Sequence, residues 1–167
     1  DPYFTTYVEA SLPFGALDLT YQSEDGIKST PYGTAHFLEH KIFAMPGGDA
    51  FSHFSALGVD ANAMTSYNQT SYLFIATQNV IPALSYLFEM MDTPFFTDEN
   101  VEQEKKIIAE ELKDNTVLIN KANENKNDDL IVIENLKLRN REIEKLLSAK
   151  NKTLSAPTLK NLNLKLN

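Results

Sequence analysis

Two histidines and a glutamate stand close together in the run His36-Phe37-Leu38-Glu39-His40. On a helix, positions i and i+4 lie one turn apart on the same face, with i+3 beside them. The run therefore aims two imidazoles at one point and sets a carboxylate next to it. Two converging imidazoles are a ligand pair for a divalent metal such as zinc, and an adjacent carboxylate can serve as a base toward water held there. The order H-x-x-E-H reverses the commoner H-E-x-x-H, with the acid preceding the second histidine. Only three histidines occur in 167 residues, so two at ligand spacing carry weight.

A catalytic zinc site normally takes three protein ligands and keeps a fourth position open. The chain has no cysteine, so no thiolate can serve. His53 lies on a helix whose apolar face reads as core. The third ligand then falls to a carboxylate, and the acidic run from Val101 to Leu112 offers Glu102, Glu104, Glu110 and Glu111. Glu104 and Glu111 are seven apart, almost two full turns, and share a face with Ile108, with Ile107 beside it. Acids that interrupt an apolar face need a partner, because an unpaired buried carboxylate is costly. A metal ion would supply one. Spacing alone leaves Glu110 and Glu111 both open as the ligand.

These groups need elements to position them. Residues 3–10 and 14–21 read as short strands rich in aromatic and β-branched residues. Ser23–Gly33 has the composition of a loop. A helix is expected to begin near Thr34 as its cap and to stop before Met45-Pro46-Gly47-Gly48. A second helix has Asp49 as cap, Phe51, Phe54 and Leu57 on one face, and Gly58 as terminator. Residues 60–67 and 70–77 read as a β-hairpin. Asn79 caps a third helix with Pro82 in its first turn and Leu84, Leu87, Phe88 and Met91 as its apolar stripe. Thr97 caps a fourth, whose first turn holds Asp98 and Glu99 as the macrodipole prefers. The order predicts an α+β domain, an antiparallel sheet with helices packed on one face.

Composition sets limits. A length of 167 residues suits one domain, and 43% apolar with 23% charged residues is ordinary for a soluble globular protein. A net charge of −8 argues against nucleic acid as a partner, since a phosphate backbone needs a basic footprint. No apolar run is long enough to span a bilayer and no leader-like segment is seen; with cysteine absent, a reducing, cytoplasmic location is the expectation. The chain is also uneven. All aromatic residues lie between Tyr3 and Phe96, and all six glycines precede Val59. Residues 1–111 hold 4 basic and 16 acidic side chains, whereas 112–167 hold 11 and 7. We expect a well-specified module over residues 1–113 and an atypical Asn-, Lys- and Leu-rich segment over 114–167. Within that segment a mixed amphipathic helix is expected over Leu130–Leu147 and a loose tail over Asn151–Asn167.

The segment Gly33–Phe43 (GTAHFLEHKIF) resembles the metal-binding helix of the pitrilysin/insulinase-type metallopeptidases, which are inverted zincins, and is most similar to their bacterial processing-peptidase-like members. The likeness continues through Gly48–Gly58 (GDAFSHFSALG), Ala61–Tyr67 (ANAMTSY), Thr70–Phe74 (TSYLF) and Val101–Leu112 (VEQEKKIIAEEL), covering roughly residues 3–113. The resemblance implies a zinc metalloendopeptidase acting on short or unfolded polypeptides. By it, His36 and His40 correspond to zinc ligands and Glu39 to the base that activates a zinc-bound water. Glu111 corresponds to the third ligand and Glu104 to the acid that orients a ligand histidine. Asn62, Ala63, Met64 and Thr65 correspond to an exposed edge strand that pairs with the substrate backbone, a form of β-augmentation. The family's longer chains continue into a second, related half that helps close a chamber around the substrate. The resemblance thus casts this chain as a partial catalytic domain, expected to bind zinc but to hydrolyse peptides weakly or not at all without a partner half or subunit. The alternatives are a non-catalytic partner or scaffold subunit, or a truncated inactive fragment.

Overall fold

The computed structural model describes residues 4–124 and 130–148. A three-stranded antiparallel sheet is built from β1 (Thr6–Leu12), β6 (Asp60–Thr65) and β7 (Thr70–Ala76), in the order β1-β7-β6. Alternation in the outer strands sets which face is covered. Val8, Ala10 and Leu12 on β1 and Ala61, Ala63 and Thr65 on β6 are half-buried, while the residues between them are exposed. Register places Ala10 and Ala63 on either side of Tyr72, so one bulky ring is flanked by two small side chains. The central strand β7 is buried at every position except Ile75, as a strand paired on both edges and covered by helices should be.

Helix α1 (Thr34–Ile42) lies on the inner face of this sheet, touching β6 and β7 on one flank and α4 (Asp98–Glu124) on the other. Eight of its nine residues are buried. The Tyr72 hydroxyl donates to the Leu38 carbonyl at 3.3 Å and ties the helix to the sheet. Ile42 and Phe43 join a core with Phe54, Tyr72, Phe74, Leu87 and Met90, which brings in α2 (Ala50–Ala56) and α3 (Val80–Asp92). Ala35, Phe37 and Leu38 join a second core with Phe96, Val101, Ile108, Ile143 and Leu146, which brings in α4 and α5 (Leu130–Ser148). The helix that carries both histidines is therefore clamped between two cores.

The α+β arrangement of antiparallel sheet and helices agrees with the pattern of the sequence, with local corrections. Residues 14–19 are not a strand. Gly15 N–H donates to the Asp18 carboxylate at 2.7 Å, and the Ala16 and Leu17 N–H groups donate to Ser66 and Tyr67 carbonyls at the β6–β7 turn. A Cβ on Gly15 would stand 2.4 Å from the Gln69 nitrogen, so this approach demands glycine. The expected loop after Ser23 instead holds a small hairpin, β2 (Thr20–Ser23) with β3 (Gly26–Ser29), turned at Glu24-Asp25 with Gly26 at φ 106°. A further two-residue pair, β4 (Ala44–Met45) with β5 (Gly48–Asp49), brackets Pro46-Gly47.

Caps also differ from expectation. Gly33, at φ 78°, occupies the position before α1, and Thr34 is already helical with its hydroxyl donating to the Pro31 carbonyl. A Cβ on Gly33 would approach Leu146 Cβ to 2.8 Å, so the missing side chain is what lets α5 lie against the start of α1. Asn79 takes a left-handed conformation and donates its amide to the Leu57 carbonyl instead of capping α3. On α3 the fully buried residues are Ala83, Leu87 and Met90, whereas Phe88 is exposed, because the helix is rotated so that Ala83 faces the sheet. Asp49 does cap α2, accepting from Phe51 N–H.

Thr97 and Asn100 form a reciprocal cap at the start of α4: the Asn100 N–H donates to Thr97 Oγ1 at 3.1 Å, and the Thr97 N–H to Asn100 Oδ1 at 3.0 Å. Thr97→Ala is expected to lower stability by about 0.5–2 kcal/mol, read from the denaturation midpoint with no change in slope. The change of composition after Glu111 falls inside α4, which runs on unbroken to Glu124, and α5 packs along it. An α5 helix over Leu130–Ser148 agrees with the amphipathic pattern there, and the tail expected over Asn151–Asn167 lies outside the described residues.

Candidate metal centre

Helical spacing puts His36 and His40 one turn apart on α1, and packing against α4 brings a third group to them. His36 Nε2 and His40 Nε2 are 3.2 Å apart. Glu111 Oε2 lies 3.5 Å from the first and 3.3 Å from the second. Four ligands at 2.0–2.1 Å around a tetrahedral zinc are separated by about 3.3 Å along each edge. The three atoms thus already occupy one face of such a tetrahedron. Glu111 Oε2 is buried and, despite these short distances, forms no hydrogen bond of acceptable geometry among the described residues. A buried acceptor without a donor is costly, and a cation at the common point would satisfy it. The donor set of two imidazoles and one carboxylate suits zinc.

The other acids of α4 sort themselves by the face on which they lie. Glu104 Oε1 sits 3.2 Å from His40 Nδ1, the nitrogen turned away from the cluster. That bond fixes the ring and leaves Nε2 free to bind. Glu110, one residue from Glu111 and thus about 100° around the helix, is exposed and paired with Lys113 at 2.7 Å. Glu102 likewise faces water with Lys105. His53 is exposed on α2 and stacked on Tyr86, outside the cluster.

Glu39 lies one helical step before His40, and its carboxylate is 7% exposed. Its Oε2 accepts a 2.5 Å hydrogen bond from the Thr65 hydroxyl, which reaches in from the last residue of β6. Asn62, Ala63, Met64 and Thr65 lie on β6, which among the described residues has a sheet neighbour only on the β7 side. The Ala63 N–H on that strand donates to the Asn62 side-chain oxygen at 2.8 Å. A cleft of about 900 Å³ runs past Glu39, His40, Asn62, Ala63 and Glu104.

Two groups at the centre escaped the sequence reading. Arg139, from α5, donates through Nε to Glu111 Oε1 and holds Nη2 3.7 Å from Glu39 Oε1. Asn115 donates to the same Glu111 oxygen at 3.3 Å. A signal for Arg139 was present: it interrupts the stripe Leu136, Ile143, Leu146 at helical spacing, a charge where an apolar residue is expected.

The charges are arranged around the cluster. Burial pushes His40 down, but the hydrogen bond to Glu104 and the adjacent Glu111 carboxylate outweigh it and raise its pKa to about 9. Burial holds His36 below its ordinary value. Burial alone would raise Glu111, yet His36, His40 and Arg139 together keep it far below the usual carboxylate range. Near pH 7 His40 in the metal-free cluster therefore carries the additional proton of an imidazolium, which a bound cation would displace.

The sign of the pH dependence follows. His40 stabilises the metal-free fold fully below its ordinary pKa of about 6.5, and that contribution fades as pH rises through about 9. The Glu111 contribution runs the other way, present above about pH 4.5 and lost on acidification. Zinc binding at pH 7 should release about one proton, and apparent affinity should climb with pH and level off near 9. Calorimetry in buffers of different ionisation enthalpy measures the released proton directly, and an affinity flat from pH 6 to 9 would contradict the assignment.

Fold and side chains together define a class: an α+β protein whose buried helix carries an H-x-x-E-H run beside a carboxylate from a second helix. The chain belongs to the insulinase family, peptidase family M16, whose model matches residues 28–138. It is 40% identical over 109 residues to YmfH of Bacillus subtilis (strain 168), an uncharacterized zinc protease, covering 64% of this chain and 26% of that one. It is 33% identical over 103 residues to AlbF of Bacillus subtilis, likewise named as a zinc protease, covering 61% and 24%. The chain thus spans about a quarter of the length of these relatives. The crystal structure of an M16-like peptidase from Alicyclobacillus acidocaldarius superposes with a TM-score of 0.69 at 24% identity, covering 96% of this chain and 37% of that one, a likeness of fold. Among the described residues no helix is long and apolar enough to cross a membrane.

Proposed function

We propose that the chain is the metal-binding part of a zinc metalloendopeptidase that hydrolyses short or unfolded polypeptides. The observation that carries this reading is the convergence of His36 Nε2, His40 Nε2 and the unpartnered Glu111 Oε2 within 3.5 Å of one another. His36, His40 and Glu111 would hold the ion. Bound there, zinc supplies a Lewis acid that polarises a carbonyl and lowers the pKa of water to about 7.

The chain's own residues do the rest. Glu39 takes a proton from the attacking water and returns it to the departing amine nitrogen. The Thr65 hydroxyl fixes one oxygen of Glu39, so the other is aimed. Glu104 holds the His40 ring in register for its Nε2 to bind. The open edge of β6 accepts an extended peptide backbone across Asn62–Thr65, beside the cleft that contains Glu39. The open cleft beside Glu39 favours a second peptidase-like half or subunit as the partner that closes the site.

The test combines metal analysis with a quenched peptide substrate, with and without the complementary half. The expected result is about one zinc per chain, and cleavage that a chelator abolishes and zinc restores. Metal-independent cleavage, or a folded chain that takes up no zinc, would overturn the proposal.

A further inference from the structure

We infer that Arg139 is a positioning residue that makes Glu111 a one-oxygen ligand, an inference that rests on the zinc reading above. Glu111 presents two oxygens in different surroundings. Oε1 accepts from Arg139 Nε and from Asn115 Nδ2, whereas Oε2 is buried, lacks a hydrogen bond and faces both imidazoles. A carboxylate free to rotate can place both oxygens on one cation and crowd the open position that substrate needs. Occupying Oε1 with two donors removes that option and leaves Oε2 alone to bind.

Arginine suits the task because its fork is planar and always charged, and its Nη2 lies 3.7 Å from Glu39 Oε1. One guanidinium thereby spans the ligand and the adjacent acid. Its helix is seated for this. Ile143 and Leu146, one and two turns further along α5, are buried against Ala35, Phe37 and Leu38 of the histidine helix. Gly33 permits that approach. The same packing that docks α5 therefore delivers Arg139 to the edge of the cluster. The role extends past the compositional change at Glu111–Lys113: a residue of the Asn- and Lys-rich segment serves the centre itself.

Cobalt substitution tests this without recourse to hydrolysis. In the full chain, Co²⁺ bound by three single-atom protein donors and one solvent gives the intense visible bands of four-coordinate cobalt. A two-oxygen carboxylate raises the coordination number and weakens them. Arg139→Ala is expected to weaken and shift the bands and to reduce zinc affinity by about 10–100-fold, measured against a chromophoric chelator. Arg139→Lys, which keeps the charge and loses the fork, should recover part of the affinity but not the spectrum. Asn115→Ala removes the second donor without touching α5 and should move the spectrum in the same direction to a smaller extent, so the inference stays testable should Arg139→Ala not fold. A wild-type chain that binds no cobalt would sink the zinc reading itself. A wild type with four-coordinate bands whose folded Arg139 variants bind as tightly and absorb identically, or more tightly, would leave that reading intact and overturn this one.

Discussion

Glu39→Gln is expected to leave zinc uptake unchanged and to cut peptide hydrolysis by about 10²–10⁴-fold, the span typical of losing a positioned general base. Three features of the site make this substitution clean. Glu39 is not among the three atoms that converge, so the ligand set survives. Glutamine has the same shape, and its carbonyl oxygen can still accept from the Thr65 hydroxyl, so the side chain keeps its place against β6. What it lacks is a basic oxygen. The measurement is turnover of a quenched peptide by the zinc-loaded chain with its complementary half, alongside metal stoichiometry. Retained turnover would remove Glu39 from the mechanism. Loss of both turnover and zinc would instead mean that Glu39 helps to build the metal site.

Glu111→Ala should weaken zinc binding by well over the roughly 10–100-fold that follows loss of an outer partner. Two effects act together. The third ligand disappears, leaving two imidazoles. Arg139, its side chain 32% exposed, loses its nearer carboxylate and keeps only the longer contact to Glu39, so its positive charge is less compensated beside the cation. The same change should lower the pKa of His40, since Glu111 is one of the two acids that hold it up. Glu110→Ala is the matched control, because Glu110 is exposed and pairs with Lys113 on the outer face of α4. Surface changes of that kind stay within about 0.5 kcal/mol. Chelator competition on the two variants separates the outcomes, and equal affinities would refute the choice of Glu111.

The parts of the fold most legible in the sequence were those with strong local periodicity. The hairpin of β6 and β7, the helix over His36–His40 and the amphipathic α5 each carry a pattern set by neighbours within a few residues. The misplaced pieces are those whose backbone bonds to distant chain. Residues 14–19 have strand-like side chains, but their N–H groups are drawn to the β6–β7 turn some fifty residues away. Thr34 and Asn79 look like caps, yet the close approach of α5 and the Leu57 carbonyl respectively decide what stands there.

The candidate site divides along the same line. That His36, Glu39 and His40 share one helical face needs only the 3.6-residue turn, so the sequence by itself determined it, along with the absence of any thiolate and the presence of acids at Glu104 and Glu111 on one stripe. Which of Glu110 and Glu111 turns inward depends on how α4 is rotated against α1, because adjacent helical residues differ by about 100°. Local spacing cannot express that rotation; the packing of Val101 and Ile108 against Phe37 sets it. The place of Arg139, 28 residues beyond Glu111, is a matter of tertiary structure alone. It depends on two helices meeting along apolar faces, and only their docking carries a guanidinium to the carboxylate that faces the histidines.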